Sequence, residues 1–188
     1  MRDSGRLPGK ALAPSTIEEI CQAYVEHRKC CCDDEAFYAE QPTLADAIAN
    51  AAMAVRGDGS RCSHHWRKPK ALLAESRRRL LEIEPAIAAA RDFDALIDVV
   101  GAALREIKGL GPLYVYDTAL RIGYRLGRLP ERVFLHAGTR AGAAALGLDV
   151  KRDTIARNEL PPPLSEFSAA AIEDILCIYK DRFATLAR

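Results

Sequence analysis

Residues 106–123 read EIKGLGPLYVYDTALRIG. An apolar-periodic run ends just before Gly109, two glycines flank Leu110, and a second periodic run begins at Pro112. Glycine ends a helix in the left-handed region without a Cβ penalty. Proline suits a first helical turn, where its missing N–H costs nothing. The stretch therefore reads as two helices joined by a very short connection whose backbone is bare. Amides at the start of the second helix point outward with the helix dipole behind them, an arrangement that receives anions.

Outward from this hairpin the chain reads as almost entirely helical. Leu96, Ile97, Val100, Ala103, Leu104 and Ile107 share one face of a helix opened by Asp92 or Asp94 and ended by Gly109. Val115, Ala119, Ile122 and Leu126 line the next, which should stop near Gly127. Towards the N-terminus, Ser15-Thr16-Ile17-Glu18 fits a capping box ahead of Ile17, Ile20, Cys21, Tyr24 and Val25. Thr43 caps a run carrying Leu44, Ile48, Ala52 and Val55, which Gly57-Asp58-Gly59-Ser60 stops. Residues 57–70 (GDGSRCSHHWRKPK) read as a loop, and a helix follows from about Ala71 with Leu72, Leu73, Leu80 and Ile83 inward. Pro85 then demands a kink or a fresh start.

Downstream, Val133-Phe134-Leu135 suits helix or strand, and 140–148 reads helical. Pro161-Pro162-Pro163 marks a linker, after which Ser165 is expected to cap a last helix over 165–186. The expected fold is all-α, a compact bundle of about eight helices. Residues 1–14 form a flexible tail and 15–188 a single domain, with the two-helix hairpin at about 95–127.

The 188 residues are enough for one domain with a substantial core. No apolar run approaches the roughly 20 residues that cross a bilayer, and the basic N-terminus lacks the apolar stretch of a secretory signal. A cytoplasmic, reducing location with free thiols is the expectation for the six cysteines. The net charge of +1 is unevenly spread. Residues 61–79 hold seven basic side chains against one acidic, and 105–140 hold seven against three. Arg121, Arg125 and Arg128 stand at i, i+4 and i+7, lining one face of the second hairpin helix.

Ile107-Lys108-Gly109-Leu110-Gly111, followed by Thr118-Ala119 and an apolar helix, resembles the helix-hairpin-helix motif of DNA repair and replication proteins. That resemblance covers about 20 residues. It implies sequence-independent contact with the phosphate backbone through Gly109, Leu110 and Gly111, with Lys108 beside them. A fainter outline resembles the C-terminal half of helix-hairpin-helix DNA glycosylases: Gly127 to Pro130, then Val133 to Gly138, then a helix ending near Leu148. Two departures separate the chain from those enzymes. Their essential aspartate falls near His136, where there is no carboxylate to support a cationic sugar, and Pro112 to Tyr116 contain no nucleophilic lysine. No conventional glycosylase activity is expected.

Other motifs carry less. Gly138, Thr139 and Arg140 suggest a second anion site, with Thr139 as a cap, and His136 is a candidate acid or base. Against this, Gly142 suits close helix packing. Cys30, Cys31, Cys32, Cys62, His64 and His65 lack the spacing of a structural zinc set, so no metal or cofactor is expected. His64-His65-Trp66-Arg67-Lys68-Pro69-Lys70 places basic residues around one aromatic, a composition that takes a phosphate or a stacked base. Walker A, G-x-S-x-G and H-E-x-x-H sequences are absent.

The leading expectation is a DNA-backbone binder that uses Lys108, Gly109, Leu110, Gly111, Arg121, Arg125 and Arg128. The alternatives are a small-molecule pocket with His136, Arg140, Tyr116 and Asp117, or a helical protein-interaction module.

Overall fold

The computed structural model describes residues 16–30, 34–62 and 65–186. Among these lie ten α-helices and one two-stranded sheet. The helices are α1 (Ile17–Cys30), α2 (Asp34–Ala39), α3 (Leu44–Met53), α4 (Lys70–Glu82), α5 (Glu84–Ala89), α6 (Phe93–Leu104), α7 (Pro112–Leu126), α8 (Ala137–Ala145), α9 (Ala169–Ile178) and α10 (Lys180–Leu186). Strands β1 (Arg132–Phe134) and β2 (Thr154–Ala156) pair antiparallel, with Val133 opposite Ile155. The chain is an all-α bundle. None of these helices is long and apolar enough to cross a membrane.

Two buried apolar clusters organise the molecule. Helices α2 to α7 enclose the first, around Tyr38, Ile48, Leu73, Leu96, Tyr114 and Ile122. Helices α1, α8, α9 and α10 with the small sheet enclose the second, around Ile20, Val133, Ile155, Ile172 and Phe183. β1 is the seam. Successive side chains of a strand point to opposite faces, so Val133 enters the second cluster while Phe134 packs on the first, against Phe93 and Tyr116.

Local signals set several helix ends. Thr43 Oγ1 accepts from Asp46 N and opens α3, and Asp92 Oδ1 accepts from Ala95 N and opens α6. Pro112 begins α7, and Gly127, with φ 66°, closes it. α4 gives way to α5 at Glu84, with Pro85 in the first turn.

Several boundaries differ from expectation. Thr16, rather than Ser15, caps α1, its Oγ1 accepting from Glu19 N; Ser15 and the tail at 1–14 lie outside the described residues. α6 stops at Leu104, so residues 105–111 all belong to the hairpin turn. Residues 165–186 are not one helix. Ser165 sits in a short 3₁₀ turn, Ser168 caps α9 through Ala171 N, and the chain restarts at Lys180 as α10. Val133 and Phe134 take the extended alternative as part of β1, while α2 and β2 are additions.

Gly142 fixes how α8 meets α9. A Cβ there would overlap the Leu176 carbonyl oxygen, a backbone atom with no rotamer through which to escape. Gly142→Ala is therefore predicted to destabilise the fold by about 1–3 kcal/mol, the usual cost of overpacking. Urea unfolding followed by helical circular dichroism measures it, and an unchanged midpoint would contradict the close α8–α9 contact.

Candidate nucleic-acid interface

The turn between α6 and α7 is held from below. Ile107 is buried in the first cluster, its N–H bonds Leu104 O, and Leu110 N–H bonds back to Ile107 O at 3.2 Å. Gly109 has φ 96°, a left-handed conformation that L side chains rarely adopt, and its position lies against Leu72 of α4.

Gly111 is different. It is the N-cap of α7 at φ −91°, ψ 179°, extended backbone open to any residue, and beyond its immediate chain neighbours nothing lies within 4 Å of where its Cβ would be. Nothing inside the fold requires glycine there. With no side-chain cap, the N–H groups of Gly111 and Leu113 have no acceptor among the described residues. They are the orphan donors of a helix start.

The basic loop before α4 reaches this turn. Lys68 Nζ donates to Gly109 O at 2.7 Å and lies 5.9 Å from the Tyr114 ring centre. Lys108 is exposed in the turn itself, and exposed Lys70 opens α4, whose Leu72 abuts Gly109. The loop's position is fixed by His65, which is 1% exposed. His65 Nε2 lies 2.7 Å from Asp117 Oδ2 on α7, and its ring meets Tyr114 edge-on. Arg61 Nη1 donates to the carbonyls of Trp66 and Lys68.

The expected arginine row is not uniform. Arg121 is only 8% exposed, with Nη2 3.1 Å from Cys62 Sγ and 3.7 Å from Asp117 Oδ2. The i, i+4 ion pair with Asp117 is thus present but inside the protein, because this side of α7 is covered by α2 and α3. Arg128 is not on α7 at all, because the left-handed Gly127 closes the helix before it, and its Nη1 donates instead to Ala88 O and Ile87 O at the end of α5. Arg125 is half-buried, and its Nε meets no partner among the described residues.

The second candidate anion site is turned inward. His136, not Thr139, is the N-cap of α8. Thr139 is buried and donates from Oγ1 to Glu173 Oε1 at 2.5 Å. A Cβ on Gly138 would fall 2.5 Å from Cys177 Sγ, so this end of α8 is covered by α9. Arg140 donates to the carbonyls of Leu135, Val150 and Arg152, clamping the connection between the two strands.

Two residues of the alternative pocket meet ring against ring. The rings of Tyr116 and His136 lie 4.7 Å apart, and neither Tyr116 Oη nor His136 Nε2 has a partner among the described residues. Burial lowers the His136 pKa, against the pull of Asp117, and so keeps the ring neutral. Glu173 is 6% exposed, and burial pushes its pKa up to about 8, with Asp174 and Asp117 adding to the rise against the Thr139 hydrogen bond. Two surface clefts lie elsewhere. One is lined by Phe93, Arg128 and Arg132, the other by Arg157 and Leu160.

Among the described residues no group of three or more His, Cys, Asp or Glu side chains is arranged to hold a metal ion. Cys31, Cys32 and His64 lie outside the described residues. No protein-family model matches this chain, and neither the curated proteins nor the solved structures provide a match.

The buried carboxyl makes stability depend on pH with a definite sign. Glu173 holds its proton in the folded state up to about pH 8, whereas an unfolded glutamate releases it near 4.5. Its contribution to stability is complete below 4.5 and is lost as pH rises through the folded value, at about 1.4 kcal/mol per pH unit. Glu173→Gln keeps the polar contact and removes the titration. The variant is predicted to match the wild type near pH 5 and to exceed it near pH 8 in denaturant midpoint. Parallel pH profiles for the two proteins would contradict this assignment.

Proposed function

We propose that the α6–α7 hairpin is a helix-hairpin-helix-type contact for the phosphate backbone of nucleic acid, read without strong sequence preference. The observation that carries this reading is Gly111. It leaves α7 uncapped and its first amides open, in a place where the fold itself has no use for glycine. A side chain at this point would stand between those amides and an approaching anion.

Charge supports the same surface. Lys68 and Lys108 flank the turn, and Lys70 follows at the start of α4. Phosphate contacts of this kind supply affinity and orientation but no sequence information. Of the arginine row only Arg125 is left to contribute, since Arg121 is engaged with Asp117 and Cys62 and Arg128 with the carbonyls at the end of α5. The pocket reading around His136 has less behind it: neither cleft described above is lined by His136, Tyr116 or Asp117. The fold alone supplies no reaction.

Gly111→Glu separates binding from folding. The backbone there accepts any residue, and a carboxylate at a helix start favours the helix dipole. The variant should melt at or slightly above the wild-type temperature. Fluorescence anisotropy with labelled DNA should show wild-type affinity falling steeply between about 50 and 200 mM salt, by counterion release. Gly111→Glu should bind at least about tenfold more weakly, and Lys68→Ala should lower the salt slope by about one. Salt-independent binding, or equal binding by the folded Gly111→Glu protein, would remove the hairpin from the interface.

A further inference from the structure

The loop that brings Lys68 to the hairpin also carries Trp66, which is 61% exposed and belongs to neither apolar cluster. An indole left in water forgoes a large burial term, and this one is not loosely placed. The buried neighbour His65 is fixed against Asp117 and Tyr114, Arg61 holds the Trp66 carbonyl, and Lys68, two residues on, is bonded to Gly109 O. The ring is therefore presented outward on an anchored turn, which the Lys68–Gly109 hydrogen bond ties to the hairpin. The Arg67 guanidinium lies over the ring, 5.2 Å from its centre, which steadies the indole and adds a further cation.

We propose that Trp66 is a base-stacking platform, and that the ligand of this surface is single-stranded or locally unpaired nucleic acid in preference to intact duplex. This rests on the hairpin reading above and adds the substrate class to it. Bases inside a duplex are already stacked on each other and offer no free face, whereas an unpaired base offers one that any aromatic ring can cover. The hairpin and the lysines hold phosphates, and the indole takes the adjacent base. Basic residues around an indole also suit an anionic lipid surface. A membrane-inserting surface carries several apolar side chains together, while the neighbours of Trp66 are Arg67, Lys68, Pro69 and Lys70.

Trp66 is the chain's single tryptophan, so intrinsic emission reports on this site alone. The test titrates the full chain with single-stranded DNA and RNA of about 12 nucleotides, with the matching DNA duplex, and with vesicles of phosphatidylserine and phosphatidylcholine. Anisotropy and tryptophan emission are read together. The proposal expects emission to be quenched by the single strands and little changed by duplex, with DNA and RNA ranked by the stronger quenching. Trp66→Ala should weaken single-strand binding about tenfold and leave duplex binding within about twofold, while Trp66→Phe restores much of the loss. Thermal melting checks that both variants are folded.

Each contrary outcome has its own meaning. Salt-dependent binding that Gly111→Glu loses but Trp66→Ala keeps, with emission unchanged, overturns the stacking platform and leaves the hairpin reading standing. Absence of binding to every oligonucleotide overturns both. A blue-shifted emission with the vesicles alone overturns the nucleic-acid ligand in favour of a lipid surface.

Discussion

His65 Nε2 and Asp117 Oδ2, 2.7 Å apart and largely shielded from water, form the contact through which the loop and the bundle become one surface. α7 is packed by α2, α3 and α6, so it has little surface on which to keep polar groups wet. Yet it carries buried Thr118 and Arg121 and the largely covered Asp117. A buried polar group needs partners, because leaving it unmade costs more than making the bond gains. Here partners for two of the three come from the loop before α4, His65 for Asp117 and Cys62 for Arg121 Nη2, while Thr118 Oγ1 has none among the described residues. Meeting that demand draws the loop onto α7. Trp66, Arg67 and Lys68 are then placed beside the hairpin that opens the same helix.

This arrangement divides the polar groups into two sets with different consequences. Inside, Asp117, Arg121, His136, Thr139 and Glu173 satisfy or perturb one another in a region of low polarity, and their effect is on stability and its pH dependence. Outside, Lys68, Lys108 and the open amides of Gly111 and Leu113 face solvent on one rigid frame. Binding of an anion, as proposed for this surface, would benefit from such rigidity, since ordering the donors would cost little when the ligand arrives. The amide donors belong to a helix start, and the helix is held by the first cluster through Tyr114 and Ile122.

The features legible in the sequence were those written locally. Thr43, Asp92, Pro112 and Gly127 act on backbone groups within one turn, so their helix ends follow from spacing alone. The hairpin followed for the same reason. Non-local pairing was harder to read. Val133 meets Ile155 only once the chain has folded back, and six residues of α2 are too few to display a period. Lys68 and Gly109 are 41 residues apart, so nothing short-range announces their bond. The arginine row marks the limit of face arithmetic: positions i, i+4 and i+7 hold only while the helix lasts, so Gly127 takes Arg128 off α7, and the spacing does not say what covers Arg121. A signal was present, since Tyr114, Thr118 and Arg121 also fall on one stripe. Glu173 carried a clearer one, standing with Ala169, Ile172 and Leu176 at i, i+3, i+4 and i+7, where a charge is out of place.

The central claim is that the open start of α7, together with the loop bound to it, is where nucleic acid is held. Amide-resolved NMR tests it most directly, with isotope-labelled protein titrated by a short oligonucleotide at low salt. The account predicts the largest shift changes at the backbone amides of Gly109, Gly111 and Leu113 and at the Trp66 indole N–H, with the amides of α8 and α9 unmoved. Changes centred on His136, Thr139 and Glu173 instead, or none at the hairpin while binding occurs, would contradict it.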